Sequence, residues 1–196
     1  MRLSPVMIGL ALGLAAAAAP TVRSDDALAP TTIERTLSGI DYLPDRATLS
    51  TVLAGDLDQL IAVADDAAAG LNPGVRIRAY RSLGLFQDDR ARVGLTAAIL
   101  RYRNSEEPVE QLYLIAALEA LGAIGGDAQV PTLSGSLGHD RRDVRAAAAR
   151  ALGATHDQGA CSALQSQRRS EPAGQVRLDI DQAIHDLGPL CSFGFD

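Results

Sequence analysis

When Val75, Tyr113, Val144 and Val176 are placed at a common origin, apolar or small residues fall into register four, seven and eight positions later. Those positions hold Ala79, Ser82 and Leu83, then Ala117, Ala120 and Leu121, then Ala148, Ala151 and Leu152, and last Ile180, Ala183 and Ile184. A spacing of 0, 4, 7 and 8 is one stripe of an α-helix. Small residues at the fourth and seventh places let neighbouring helices approach closely. One position further stand Gly84, Gly122 and Gly153, with His185 in the last copy, and a glycine there predicts a left-handed helix stop. The origins lie 38, 31 and 32 residues apart, a period that two short helices and two turns consume.

Between the stripes the other helix of each pair reads as Asp56–Asp66, Asp88–Arg103, Asp127–Leu137 and Asp157–Arg168. Each opens on an Asp, suited to cap free amides and to complement the helix dipole, and Arg101 and Arg103 complement the C-terminal end of the second. Pro73, Pro108 and Pro172 stand two to five residues ahead of their stripes, where a missing amide hydrogen costs least. Pro131 falls inside a first turn and predicts a bend. No strand-like alternation is sustained, and Asn-Gly and Asp-Gly turns are missing. The pattern predicts an all-α fold in which helix pairs, each unable to bury its apolar side alone, stack into a right-handed α-solenoid, or α-α superhelix.

The stretch ALEALGAIGGDAQVPTLSGSLGHDRRDVRAAAARALGATHDQGACSAL, Ala117 to Leu164, resembles the HEAT-like repeats of the phycobilisome lyase group and of many bacterial proteins. LGAIGGD, AQVPTL and DVRAAAARALG carry the likeness, and GVRIRAYRSLG and QVRLDIDQAIHDLG match more loosely. The resemblance spans residues 56–188 and implies a solenoid of HEAT-like hairpins with the stripe helices on the inner face. Such repeats serve many partners, so it specifies a fold more than a function.

Upstream, Ile33, Leu37, Ile40, Leu43, Leu49, Val52 and Leu53 suggest a degenerate capping repeat within residues 19–55, its second helix starting at Pro44 and Asp45. Downstream, Gly188 and Pro189 stop the last helix, and Leu190, Phe193 and Phe195 of residues 189–196 are placed to fold over the open end. Met1 to Pro5 carry one charge, Arg2, and Val6 to Ala19 form an unbroken apolar or small run before Arg23, Asp25 and Asp26. This reads as a signal peptide over residues 1–18, cleaved near Ala16, Ala17 and Ala18, because the run is short and Ala-rich for a membrane span. The expected mature chain has no membrane span and is exported, periplasmic or extracellular.

Composition narrows the chemistry. All 18 basic residues are Arg, which excludes a P-loop lysine and a Schiff-base lysine. The formal net charge of −6 argues against nucleic acid, which is bound by neutralising phosphates. In an oxidising compartment Cys161 and Cys191 are expected to form a disulfide. Cys161 lies five residues after His156, a poor helical spacing for a catalytic thiol and its base.

Arg76, Arg145 and Arg177 each follow an origin Val. HEAT repeats commonly place such an Arg in a ladder with Asp residues of the turns, which the resemblance extends here to Asp140; the alternative is a row of guanidinium groups for an acidic ligand. Arg76, Arg78 and Arg81, with Tyr80 interleaved and Arg90, Arg92 and Phe86 nearby, are a candidate partner-binding patch; the alternative is that Tyr80 packs between repeats and the Arg side chains lie over its neighbours. His139-Asp140, His156-Asp157 and His185-Asp186 have metal-ligand chemistry, but an Asp in a turn also serves as a helix cap. GxSxG, HExxH, CxxC and GxGxxG are absent, so no catalytic residue, metal ligand or cofactor is expected. The sequence points to a non-catalytic scaffold for a protein or peptide partner. A bilin lyase or isomerase, which the resemblance permits, and a structural cell-envelope repeat protein are the alternatives.

Overall fold

A computed structural model describes residues 31–39, 42–66 and 70–191, and among them every regular element is helical. The elements are α1 (Thr32–Leu37), α2 (Arg46–Leu53), α3 (Asp58–Asp65), α4 (Pro73–Leu83), α5 (Asp89–Tyr102), α6 (Pro108–Ile124), α7 (Val130–Ser134), α8 (Arg142–Ala154), α9 (Gly159–Ser170) and α10 (Gly174–Leu187). The apolar run Val6–Ala19, Ile40, Phe193 and Phe195 lie outside the described residues. Among the described residues no single helix is long and apolar enough to cross a membrane.

Local chemistry sets the boundaries. Thr31 and Glu34 exchange bonds in a capping box at α1, and Asp45 caps α2 through the Thr48 amide at 2.8 Å. Asp88 caps α5 in the same way, while Pro73 and Pro108 occupy the first turns of α4 and α6. A 3-10 turn at Asp127–Gln129 passes into the short α7 immediately before Pro131, so the predicted bend is a change of helix type.

The stripe helices α4, α6, α8 and α10 pack in chain order, each on the next. All their stripe residues are buried except Ile184, which is half-buried. A second row is formed by α3, α5, α7 and α9, which pack as two pairs, α3 on α5 and α7 on α9. The result is a helical solenoid of stacked hairpins. At its start α1 packs on α2, α3 and α4, burying Ile33, Leu37, Leu49 and Leu53.

Gly84, Gly122 and Gly153 are not left-handed stops. Gly84 has φ −63°, and Gly122 and Gly153 lie inside α6 and α8 without a positive φ. Their role is close approach. A Cβ on Gly122 would lie 2.6 Å from Cα of Ala151, one on Gly84 2.9 Å from Cα of Ala120, and one on Gly153 2.9 Å from Cα of Ala183. Each glycine thus receives the seventh-position alanine of the next stripe helix. Helix termination belongs instead to Gly125 and Gly188, at φ +77° and +52°.

The fourth stripe helix differs on the side that would receive a successor. Where Leu118 and Ala149 are fully buried by the next helix, the equivalent Asp181 is ion-paired with Arg168, and where the others have glycine α10 has an exposed His185. Cys161 of α9 and Cys191 form a disulfide that ties the turn after α10 back onto α9.

Candidate functional site

Of the arginines that follow the origin valines, Arg76 and Arg145 are half-buried and turned onto main-chain carbonyls, while Arg177 stays exposed. Arg76 donates from Nε to the Ala64 carbonyl at 3.0 Å, and from Nη2 to the Asp65 carbonyl at 3.2 Å and the Tyr102 hydroxyl at 3.0 Å. It thereby closes the free carbonyls at the C-terminus of α3 and stacks 4.2 Å over the Tyr113 ring. Tyr80, Tyr102 and Tyr113 pack as three mutually touching rings with centroids 5.6–6.5 Å apart. The Tyr80 hydroxyl donates to Asp65, which also holds Arg101 at 3.2 Å, and burial pushes the Tyr80 phenol up from its ordinary pKa.

The candidate patch Arg76, Arg78, Tyr80 and Arg81 therefore does not assemble as a surface. Tyr80 is 1% exposed and Arg78 donates to the Leu37 carbonyl, fastening α4 to α1. The reason is periodicity: Tyr80 sits five residues after its origin, on the side covered by α6. Of the four only Arg81 is exposed, 3.6 Å from Glu119.

Arg145 grips Glu171 with two bonds, 2.8 Å from Nε and 2.7 Å from Nη2, and donates from Nη1 to the carbonyls of His139 and Asp140. Arg177 reaches the Glu171 carbonyl at 3.4 Å. Asp140 contributes its main chain here, and the carboxylate partner is Glu171, which the sequence reading missed. The Glu171 side chain is fully buried, and the Arg145 guanidinium holds its pKa down at about 2, helped by bonds from Ala173 and Gln167.

The side of the stripe helices left open to solvent is defined by residues one before and two, six and ten after each origin. It includes Leu112 at 49% exposure and Leu178 at 62%, with half-buried Ile77 and Ile115 in the same row as Leu178. Beside them an ion-pair chain runs across successive helices from Arg81 to Glu119, on to Arg150 at 2.8 Å, and from Arg150 to Asp179 at 3.4 Å. Each exposed pair contributes little to stability, but together they fix where these side chains stand. The alternation Arg81, Glu119, Arg150 six positions after successive origins is the sequence signal for this chain.

A cleft of about 950 Å³ opens where α5 and α7 part in the second row. Its lining includes Leu100, Arg103, Glu106, Gln111, His139 and Arg141. His139 accepts the Arg141 amide at Nδ1, 3.1 Å, so its proton sits on Nε2 and is donated to the Arg103 carbonyl at 2.9 Å. This imidazole pins the loop before α8 to the end of α5. His156 is exposed on the turn before α9 and His185 is exposed within α10, and no cluster of three metal-binding side chains occurs among the described residues. Asp157 caps the start of α9 through the Gly159 amide at 2.7 Å.

Residues 103–185 match the family model of HEAT repeats. That stretch covers α6 to α10 almost completely and agrees with the stacked hairpins found there. No curated protein matches the chain.

Proposed function

We propose that this chain, a HEAT-like repeat protein, is a non-catalytic, exported scaffold that binds a protein or peptide partner along the open side of its stripe helices. The observation that carries this reading is the row of exposed and half-exposed aliphatic side chains, Leu112, Ile115 and Leu178, bordered by the fixed chain Arg81, Glu119, Arg150 and Asp179. Apolar centres rimmed by ordered charge are the composition of contact surfaces. Export rests on the apolar run Val6–Ala19 and accords with the Cys161–Cys191 disulfide. The likeness to phycobilisome lyase repeats is taken as one of scaffold. End-to-end assembly into an envelope lattice is disfavoured by the polar Asp181 and His185 on the outward side of α10.

The test places a photo-crosslinking residue at Leu112 or Leu178, with Val93 on α5 as the control, in cells expressing the chain. A partner adduct at the first two positions and not at Val93 supports the reading. Adducts at all three alike, or none, overturn it, as would a measurable turnover lost with one side-chain change.

A further inference from the structure

Sixteen of the arginines fall among the described residues, and nearly all are committed to carbonyls, carboxylates or aromatic rings. Among the described residues only Arg103 and Arg169 have guanidinium groups making no hydrogen bond, ion pair or ring contact. Arg103 lines the cleft between α5 and α7, and so does Arg141, whose guanidinium is held only at 4.0 Å by Asp143. In a protein that otherwise neutralises its cations so thoroughly, one uncommitted guanidinium, Arg103, beside a second that is held only by a long, exposed ion pair, Arg141, is an available carboxylate site.

Three further features specify what else a ligand must carry. Gln111, 4% exposed, lines the cleft and donates to the Ser105 carbonyl, while its Oε1 is buried without a partner, so a polar group there is left unsatisfied. The helices that start at this rim, α6 and α8, have no side-chain cap on their first amides. Leu100, 54% exposed, supplies an apolar wall. Against a polyanion stand Glu106 and Asp140 on the same lining, neither in an ion pair among the described residues. They oppose phosphate-rich ligands and suit a cationic group.

We infer that the α5–α7 cleft binds a short extended peptide of mixed charge. Its acidic side chain lies between Arg103 and Arg141, an apolar neighbour rests on Leu100, and a basic residue faces Glu106 and Asp140. A volume of about 950 Å³ accommodates a few residues. The site lies in the second helical row, so it stands or falls separately from the partner surface proposed on the stripe helices.

The experiment pans a phage library of random hexapeptides on the purified chain, then measures selected peptides by fluorescence anisotropy. The expected peptides pair Asp or Glu with Lys or Arg. Their affinity should fall roughly tenfold with Arg103→Ala and with Asp→Asn in the peptide, weaken with Leu100→Ser, and be unchanged by Arg169→Ala. Both arginines are exposed, so both variants should keep the parent melting temperature. The inference is overturned by no enrichment over an unrelated helical protein, by enriched peptides without an acidic residue, by equal binding to Arg103→Ala, or by inorganic phosphate displacing the peptide.

Discussion

Gly122 and Ala151 touch backbone to backbone: a Cβ on Gly122 would lie 2.6 Å from the Ala151 Cα and closer still to its carbonyl oxygen. Neither partner can yield, because both are main chain within packed helices. Gly122→Ala should therefore cost about 3 kcal/mol, at the upper end of overpacking. Gly84→Ala and Gly153→Ala should cost less, and His185→Ala close to nothing. Thermal unfolding followed by circular dichroism checks the ranking, at roughly 2–4 °C per kcal/mol for a chain of this size.

Among the described residues Arg145 is the sole cation holding the fully buried Glu171 carboxylate, by two side-chain bonds. Arg145→Met leaves that charge stranded and should destabilise by about 3–5 kcal/mol. Arg81→Met, which loses an exposed pair, should cost less than about 1 kcal/mol. Urea unfolding of the two variants side by side measures the difference.

The same pair gives a pH dependence of definite sign. Glu171 is held at about 2 in the folded chain against an ordinary 4.5, so its contribution is complete above about 4.5 and is lost as pH falls toward 2. The contribution is about 3 kcal/mol from the size of that shift. Urea midpoints measured from pH 6 downward should fall faster in the parent chain than in Glu171→Gln, the gap between the two closing over that window.

The Tyr102 hydroxyl receives Arg76, whose other bonds close the end of α3. Tyr102→Phe should cost about 1–2 kcal/mol, and Arg76→Leu distinctly more because two part-buried carbonyls at the end of α3 also lose their donor. Hydrogen exchange of the α3 amides should rise in Arg76→Leu before that of α8.

Cys161 and Cys191 close a loop of sequence separation 30. Reduction, or Cys161→Ala with Cys191→Ala, should lower stability by about 3.5 kcal/mol in the chain-entropy treatment. Thiol titration of the unfolded, unreduced chain should find no free cysteine.

The stripes were legible because helical burial repeats at 3.6 residues and every copy obeyed it, as Val144, Ala148, Ala151 and Leu152 illustrate. The glycines one position on were misread because a stop and a close contact look alike in one helix. What separates them is the neighbour, and the clue was His185 replacing glycine where no further stripe helix packs among the described residues. Glu171 escaped notice because its partnership spans 26 residues and depends on the turn between α9 and α10. The cleft was invisible for a related reason. It exists because α7 ends after Ser134, where the pattern predicted helix as far as Leu137.

Asp181 and His185 put polar side chains on α10 where the earlier stripe helices have buried apolar residues and glycine. Lengthening the array by grafting another hairpin after α10 would first require rewriting those two positions, with glycine in place of His185 and an aliphatic residue in place of Asp181. An engineer extending the array would therefore begin with that helix face.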